Sequence, residues 1–149
     1  MKIAIGNDHI GLELKDKLDS YFDKKKIEVV HFGTFTTERM NYPEIAFKLA
    51  EALARGEFSS GVLICGTGVG MSLAANQVDG VRSVVCSEPY SAKMAREHND
   101  ANMICFGSRV IGSEMAKLIL DNWFESLYLE GRHQGRVEMI NNYKSGQKL

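Results

Sequence analysis

Short apolar runs and amphipathic stretches of helical period alternate along this chain from end to end, and that alternation constrains the fold more than any single motif. Five runs read as strands, each rich in Val, Ile or Phe: Lys2 to Ile5, Ile27 to Phe32, Gly61 to Cys65, Val81 to Cys86 and Met103 to Phe106. Between the first two, Ile10, Leu14, Leu18 and Phe22 recur at every fourth position with Lys and Asp on the other face, the pattern of a surface helix. Pro43 opens a second helix, lined by Ile45, Leu49 and Leu53 and stopped by Gly56. Gly70 to Gln77 and Pro89 to His98 fit two more, and Ser113 to Tyr128 a fifth carrying Leu118, Ile119 and Trp123. His133 to Tyr143 reads as a last helix with Val137 and Ile140 inward, followed by a frayed tail rich in Lys, Gln and Gly.

Parallel neighbours need crossover connections, so repeated β-α units predict a parallel sheet with helices on both faces, an α/β three-layer α/β/α Rossmann-like domain. The unbroken run Val62-Leu63-Ile64-Cys65 suits a strand buried on both sides. With 149 residues and no linker, repeat or low-complexity stretch, residues 1–149 read as a single domain. Basic and acidic residues number 18 and 19, for a net charge of -1, which lacks the positive field that nucleic-acid binding requires. The start, M-K-I-A-I-G-N-D-H, reaches Asp and His too early for a signal peptide, and no apolar run approaches the ~20 residues of a membrane span. A cytoplasmic location with no membrane partner is the expectation. Cys65, Cys86 and Cys105 are odd in number and form no CxxC pair, so they read as reduced thiols, with Cys86 and Cys105 as core filler.

In open sheets of this kind the ligand sits beyond the carboxyl ends of the strands. Asn7-Asp8-His9 follows the first strand, the stretch I-C-G-T-G-V-G (residues 64–70) spans the third, Ser87-Glu88 follows the fourth and Gly107-Ser108-Arg109 the fifth. As a dinucleotide fingerprint the glycine stretch fails, because Met71 stands where the third glycine belongs, although Glu88 lies twenty residues beyond Gly68. A Walker loop is excluded because no Lys-Ser or Lys-Thr follows the glycines. What remains is a set of backbone N–H groups converging on one spot, fit for a phosphate or for a developing oxyanion.

Cys65 stands immediately before that loop. The thiolate is the form that serves as base or nucleophile, and a helix start with nearby cations favours it; the competing reading is a core cysteine. Thr67 offers a hydroxyl for proton transfer or for capping. His98 and Asn99 end the fourth helix, where a histidine serves as an acid-base group or only as a partner of the helix dipole. Arg132 and Arg136 are four apart with no acid between them, which suits a phosphate better than an internal salt bridge; the competing reading is a solvated face. A cysteine base, an N–H-lined anion hole, a histidine and two arginines together suggest proton transfer beside a carbonyl on a phosphorylated metabolite. The His and Cys residues lack metal-ligand spacing, so no metal is expected.

With these residues assembled, the chain resembles the type B ribose-5-phosphate isomerase family, which also takes in allose-6-phosphate and galactose-6-phosphate isomerases. The resemblance covers essentially the whole chain: G-N-D-H at 6 to 9, N-Y-P at 41 to 43, I-C-G-T-G-V-G followed by A-A-N, V-C-S-E-P-Y-S-A, R-E-H-N-D-A-N, F-G-S-R-V and E-G-R-H-Q-G-R-V. It implies five parallel strands in the order 2-1-3-5-4, with the loops of Asp8, Cys65 and Arg109 side by side. It also implies a cofactor-independent aldose-ketose isomerase that interconverts D-ribose 5-phosphate and D-ribulose 5-phosphate through a cis-enediolate, in the non-oxidative branch of the pentose phosphate pathway.

Carried over by position, Cys65 would take the proton from C2 and return it at C1, and the N–H groups of Gly66, Thr67, Gly68, Val69 and Gly70 would hold the enediolate charge. Thr67 would assist exchange between O1 and O2, and His98 would open the furanose ring. Asp8 and Asn99 would bind sugar hydroxyls, and His9, Arg109, Arg132 and Arg136 the phosphate. The family forms dimers or tetramers whose sites are shared across the subunit interface, so a homodimer or homotetramer is expected. Some members use a Glu at the start of the helix after the glycines; Met71 stands there, which places this chain with the cysteine users. The galactose-6-phosphate enzymes divide the Cys-Gly loop and the Arg-His tail between two chains, whereas this chain carries both. A hexose 6-phosphate remains an alternative substrate, and Asn7, Ile10 and Asn41 depart from common family residues. A nucleotide-binding module, with the glycine loop on a pyrophosphate, is the remote alternative.

Overall fold

In the computed structural model, which describes residues 1–144, one parallel five-stranded sheet runs in the order β2-β1-β3-β5-β4. The strands are β1 (Lys2–Asn7), β2 (Glu28–His31), β3 (Ser60–Cys65), β4 (Ser83–Val85) and β5 (Met103–Gly107). The helices are α1 (Leu12–Lys25), α2 (Tyr42–Ala54), α3 (Val69–Ala75), α4 (Pro89–Asn99), α5 (Ser113–Glu125) and α6 (Gln134–Lys144), with a 3-10 turn over Gly131–His133. The expected frayed tail lies largely outside the described residues.

The predicted layers follow from how β3 distributes its side chains. All six of its residues are buried. Val62 and Ile64 join Ile3, Ile5, Ile104 and Phe106 beneath α1, α4 and α5, while Leu63 and Cys65 join Ala4, Met103 and Cys105 against α2 and α3. Each large apolar side chain so enclosed contributes about 1.5–3 kcal/mol, and two such clusters, one on each face, give the three layers. Trp123 is 1% exposed and satisfies its indole N–H by donating to Ser60 Oγ at 2.8 Å, which ties α5 to the start of β3.

Several boundaries differ from expectation. Strand β4 is confined to Ser83–Val85, because Val81 N–H closes a turn on the Val78 carbonyl and Arg82 N–H is taken by the Asn102 side chain. Helix α5 stops at Glu125 and not at Tyr128. Ser126 turns extended, and its hydroxyl donates to the Asn122 carbonyl at 2.6 Å, a local bond that competes with helix continuation. The chain then runs beside α4, with Leu129 N–H on the Glu97 carbonyl. Among the described residues of α6 only Val137 is buried, whereas Ile140 is 53% exposed, and on α5 Leu118 also faces outward.

The winding reverses between β1 and β3, so the crevice that binds ligands in such sheets opens beyond their carboxyl ends. Each crossover helix starts at that carboxyl edge and returns to the amino edge. Thus α4 ends beside the start of β4, where Asn102 N–H donates to the Arg82 carbonyl. The two edge strands are also the shortest, with four residues in β2 and three in β4.

Candidate active site

Asn7 and Asp8 emerge from β1 still buried, at 1% and 4% exposure. One Asp8 oxygen, Oδ1, accepts the N–H groups of Ile10 (2.9 Å) and Gly11 (2.8 Å), so the loop holds the carboxylate by one oxygen and leaves the other for a ligand. The Asn7 amide donates to the Thr34 carbonyl and ties in the loop after β2. His9 Nδ1 is buried and has no hydrogen-bond partner among the described residues. A cavity of about 530 Å³ opens here, lined by Asp8, His9, Arg39, Asn41 and Tyr42, a size suited to a small ligand.

The glycine loop leaves β3 next to it. Cys65 is 5% exposed, and its Sγ accepts the Gly68 N–H at 3.1 Å. Gly68 holds φ +78°, a conformation that costs any other L-residue, and this turn swings its N–H back onto the sulfur. The sulfur is therefore held by the loop itself, where the glycine backbone leaves the strand. Thr67 is exposed; its Oγ1 accepts Val69 N–H at 3.3 Å, so the hydroxyl both supports the loop and faces solvent. Met71 is fully buried under the loop.

The end of β5 closes the group. Ser108 N–H donates to the Cys65 carbonyl at 2.8 Å and Arg109 N–H to the Gly66 carbonyl at 3.1 Å. The Ser108 hydroxyl lies 3.0 Å from the Ile10 carbonyl and 3.2 Å from that of Cys65, within reach of all three loops. Asp8, His9, Cys65, Gly66, Thr67, Gly68, Val69, Gly70 and Arg109 are therefore assembled at one edge of the sheet by backbone geometry.

His98, Asn99, Arg132 and Arg136 are not part of that assembly. Because α4 runs back along the sheet, His98 and Asn99 are its last two residues at the amino edge. There the His98 ring stacks on His133, with centroids 4.1 Å apart and planes 8° from parallel. Arg82 secures this end: its Nε donates to the carbonyls of Asn99 (3.2 Å) and Asp100 (2.8 Å), Nη2 pairs with the Asp100 carboxylate at 2.5 Å, and Nη1 reaches Asn141 of α6 at 3.4 Å. Arg132 and Arg136 are exposed on the adjoining turn and helix. One chain thus carries two clusters of the chosen residues, at opposite edges of its sheet.

Other residues sort differently from their reading in the sequence. Glu88 is the N-cap of α4, its carboxylate accepting Tyr90 N–H (2.6 Å) and Ser91 N–H (2.8 Å), and the Ser91 bonds hold it below the usual carboxylate range. A capping carboxylate is not free for a ribose, which removes the main support for a dinucleotide. Cys105 is fully enclosed and hydrogen-bonded to Ser83, with burial pushing its thiol up to about 12, and Cys86 is pushed up similarly. Tyr42 was legible only as part of N-Y-P. Its ring covers Gly70 so closely that a Cβ there would lie 2.6 Å from the phenol carbon, so α2 braces the loop from outside. Among the described residues no group of three or more His, Cys, Asp or Glu is placed to hold a metal, and no helix is long and apolar enough to cross a membrane.

Residues 3–140 match the family described as Ribose/Galactose Isomerase. The chain is 52% identical over 139 residues to ribose-5-phosphate isomerase B of Escherichia coli K12, covering 93% of each chain. It is 42% identical to ribose-5-P isomerase B of Listeria innocua, over 94% of this chain and 95% of that one. The solved structure of Clostridium thermocellum ribose-5-phosphate isomerase B superposes with a TM-score of 0.96 at 44% identity, covering 99% of this chain and 100% of the other.

Proposed function

Since the chain belongs to the ribose/galactose isomerase family, we propose that it is an aldose-ketose isomerase that interconverts D-ribose 5-phosphate and D-ribulose 5-phosphate. The observation that carries the mechanism is the Cys65 sulfur, held 3.1 Å from the Gly68 N–H at the crevice edge. In the open-chain aldose the Cys65 thiolate removes the C2 proton, and the electron pair of that C–H bond moves through the new C1–C2 double bond onto O1. The charge of the cis-enediolate is met by loop N–H groups of the Gly66 to Gly70 stretch, those of Gly66, Thr67 and Gly70 directly, while those of Gly68 and Val69 are already given to Cys65 Sγ and Thr67 Oγ1. Thr67 passes a proton between O2 and O1, and the Cys65 thiol returns its proton at C1, giving the ketose. The electron pair never leaves the substrate, so the reaction calls for no redox cofactor.

His98 opens the furanose by moving a proton between the anomeric hydroxyl and the ring oxygen, and Asn99 and the free oxygen of Asp8 bind sugar hydroxyls. His9, through its unpartnered Nδ1, and Arg109, Arg132 and Arg136 hold the phosphate. This division requires two copies. The α4 helix places His98 at the edge opposite Cys65, so a second copy would deliver His98, Asn99, Arg132 and Arg136 to the loops of the first, and a two-fold arrangement would complete both sites. A homodimer, alone or paired into a homotetramer, a single domain and a cytoplasmic location belong to the same reading.

The test is an assay of purified, metal-stripped protein with ribose 5-phosphate, allose 6-phosphate and galactose 6-phosphate in deuterated water. Conversion of the pentose with the highest kcat/KM, and deuterium appearing at ribulose C1, is the expected result. Preference for a hexose would overturn the substrate, and transfer without any solvent exchange even at long times would argue against a thiol that equilibrates its proton.

A further inference from the structure

The motif G-R-H-Q-G-R contains a residue to which the proposed reaction gives no task. His133 is 7% exposed, lies flat on His98 at 4.1 Å, and accepts a long hydrogen bond, 3.4 Å, from Arg132 Nε at its own Nε2. A ring nitrogen that accepts carries no proton, so His133 is the neutral imidazole protonated at Nδ1. Burial, and after it the charges of His98, Arg132 and Arg136, push its pKa below the ordinary histidine value, which keeps it neutral at pH 7. Its backbone is fixed by a turn in which His133 N–H donates to the Glu130 carbonyl, with Glu130 and Gly131 both at positive φ.

His98 and Arg132 need such a support. His98 occupies the last turn of α4, and among the described residues no hydrogen bond orients its ring. Arg132 is exposed and its Nε has no other partner among those residues. A guanidinium held at Nε presents its two Nη groups as a fork, the form that grips a phosphate. A proton donor with a free ring plane spends most of its time misaimed, and small misplacements cost rate steeply.

We propose that His133 is a positioning residue with two separable functions: its ring face fixes the plane of His98, and its Nε2 aims Arg132. The inference rests on the acid-base reading of His98 and the phosphate reading of Arg132. It differs from a purely structural role because the two functions depend on different atoms of one side chain.

The experiment compares His133→Phe with His133→Gln in the full-length protein, using ribose 5-phosphate. Phe keeps a flat face for His98 and loses the acceptor, so kcat should stay within about twofold while KM rises about fivefold or more. Gln keeps an acceptor near the Nε2 position and loses the face, so kcat should fall about tenfold while KM stays within about twofold. Equal changes in both variants that follow their thermal midpoints, or no change in either, would overturn the proposal. In the unaltered protein, the His133 ring current should move the His98 ring-proton resonances upfield, and unshifted resonances would also overturn it. His98→Asn separates the two levels of the reading: full activity in that variant removes the role of His98, whereas an impaired His98→Asn beside an unimpaired His133→Gln removes only the role of His133.

Discussion

Gly68→Ala tests the loop most sharply, because its two costs can be worked out separately. At φ +78° an alanine loses about 1–2 kcal/mol to the left-handed conformation. Its Cβ would also lie 2.9, 3.1 and 3.2 Å from the Phe106 carbonyl carbon, carbonyl oxygen and amide nitrogen. These are backbone atoms of an inner strand, so no rotamer change relieves the overlap and the loop must lift. Together the two effects cost about 3 kcal/mol, which for a chain of this size lowers Tm by roughly 6–12 °C. Lifting the loop takes the Gly68 N–H from the Cys65 sulfur, and in the proposed thiolate form of the reaction a hydrogen bond to a charged acceptor is worth about 1.5–3 kcal/mol. At about 1.4 kcal/mol per factor of ten, kcat should fall about 10- to 150-fold. Gly80→Ala is the control. Its φ is +81° but a Cβ would meet nothing within 4 Å, so only the conformational cost applies, partly offset by about 0.4–1 kcal/mol from a stiffer unfolded chain. Its Tm should fall by less than about 6 °C, with kcat unchanged. Differential scanning fluorimetry and steady-state kinetics on both variants decide the matter. Near-native kcat in Gly68→Ala would refute the part played by the N–H group, and an equal loss in Gly80→Ala would show that activity follows stability.

Four further outcomes are expected. Cys65→Ala should lower kcat by about 10²-fold or more, the loss expected of a missing general base; full activity would end the mechanism. Arg136→Ala should raise KM for phosphorylated sugars while leaving non-phosphorylated ones unaffected. Mixing inactive Cys65→Ala with inactive His98→Asn chains, then unfolding and refolding them together, should restore roughly a quarter of native activity, because half of randomly paired dimers contain one intact site; no recovery would contradict the shared site. Burial alone would raise the Asp121 carboxyl, but hydrogen bonds from Lys25 and from Tyr21 (2.9 Å) hold it below its ordinary value. A depressed acid stabilises the fold above its unfolded pKa of ~3.9, and that contribution disappears as the pH falls through the folded value. Asp121→Asn should therefore lower Tm at pH 7, with the difference from the unaltered protein closing below about pH 4; a gap that fails to shrink on acidification would contradict this.

The sheet was legible because each strand is a separate apolar run, and the buried alternation of Val62, Leu63, Ile64 and Cys65 needs only a sequence to be seen. Strand and helix ends were less so. Ser126 ends α5 through one hydroxyl bond inside a run that still looks helical, and Val81 is taken into a turn by contacts no local pattern announces. Of the site, the cluster around Cys65 could be read from strand ends alone. The distance between Cys65 and His98 could have been, since a crossover helix must end at the far edge, yet residue type drew them into one group. Glu88 before Pro89 carried a capping signal that competed with a ligand reading. Ser108 and Tyr42 were missed as supports because their importance lies in which backbone they touch, which depends on the assembled loops.

The short edge strands have a consequence for the protein in concentrated solution. Inner strands β1, β3 and β5 have six, six and five residues, and their apolar runs are of the kind that stack into fibrils when exposed. They are covered at the sides by only four residues in β2, which begins and ends with the exposed Glu28 and His31, and three in β4. So few unpaired backbone groups offer a second sheet little to extend from. That economy of edge length limits the ways in which many copies can assemble wrongly.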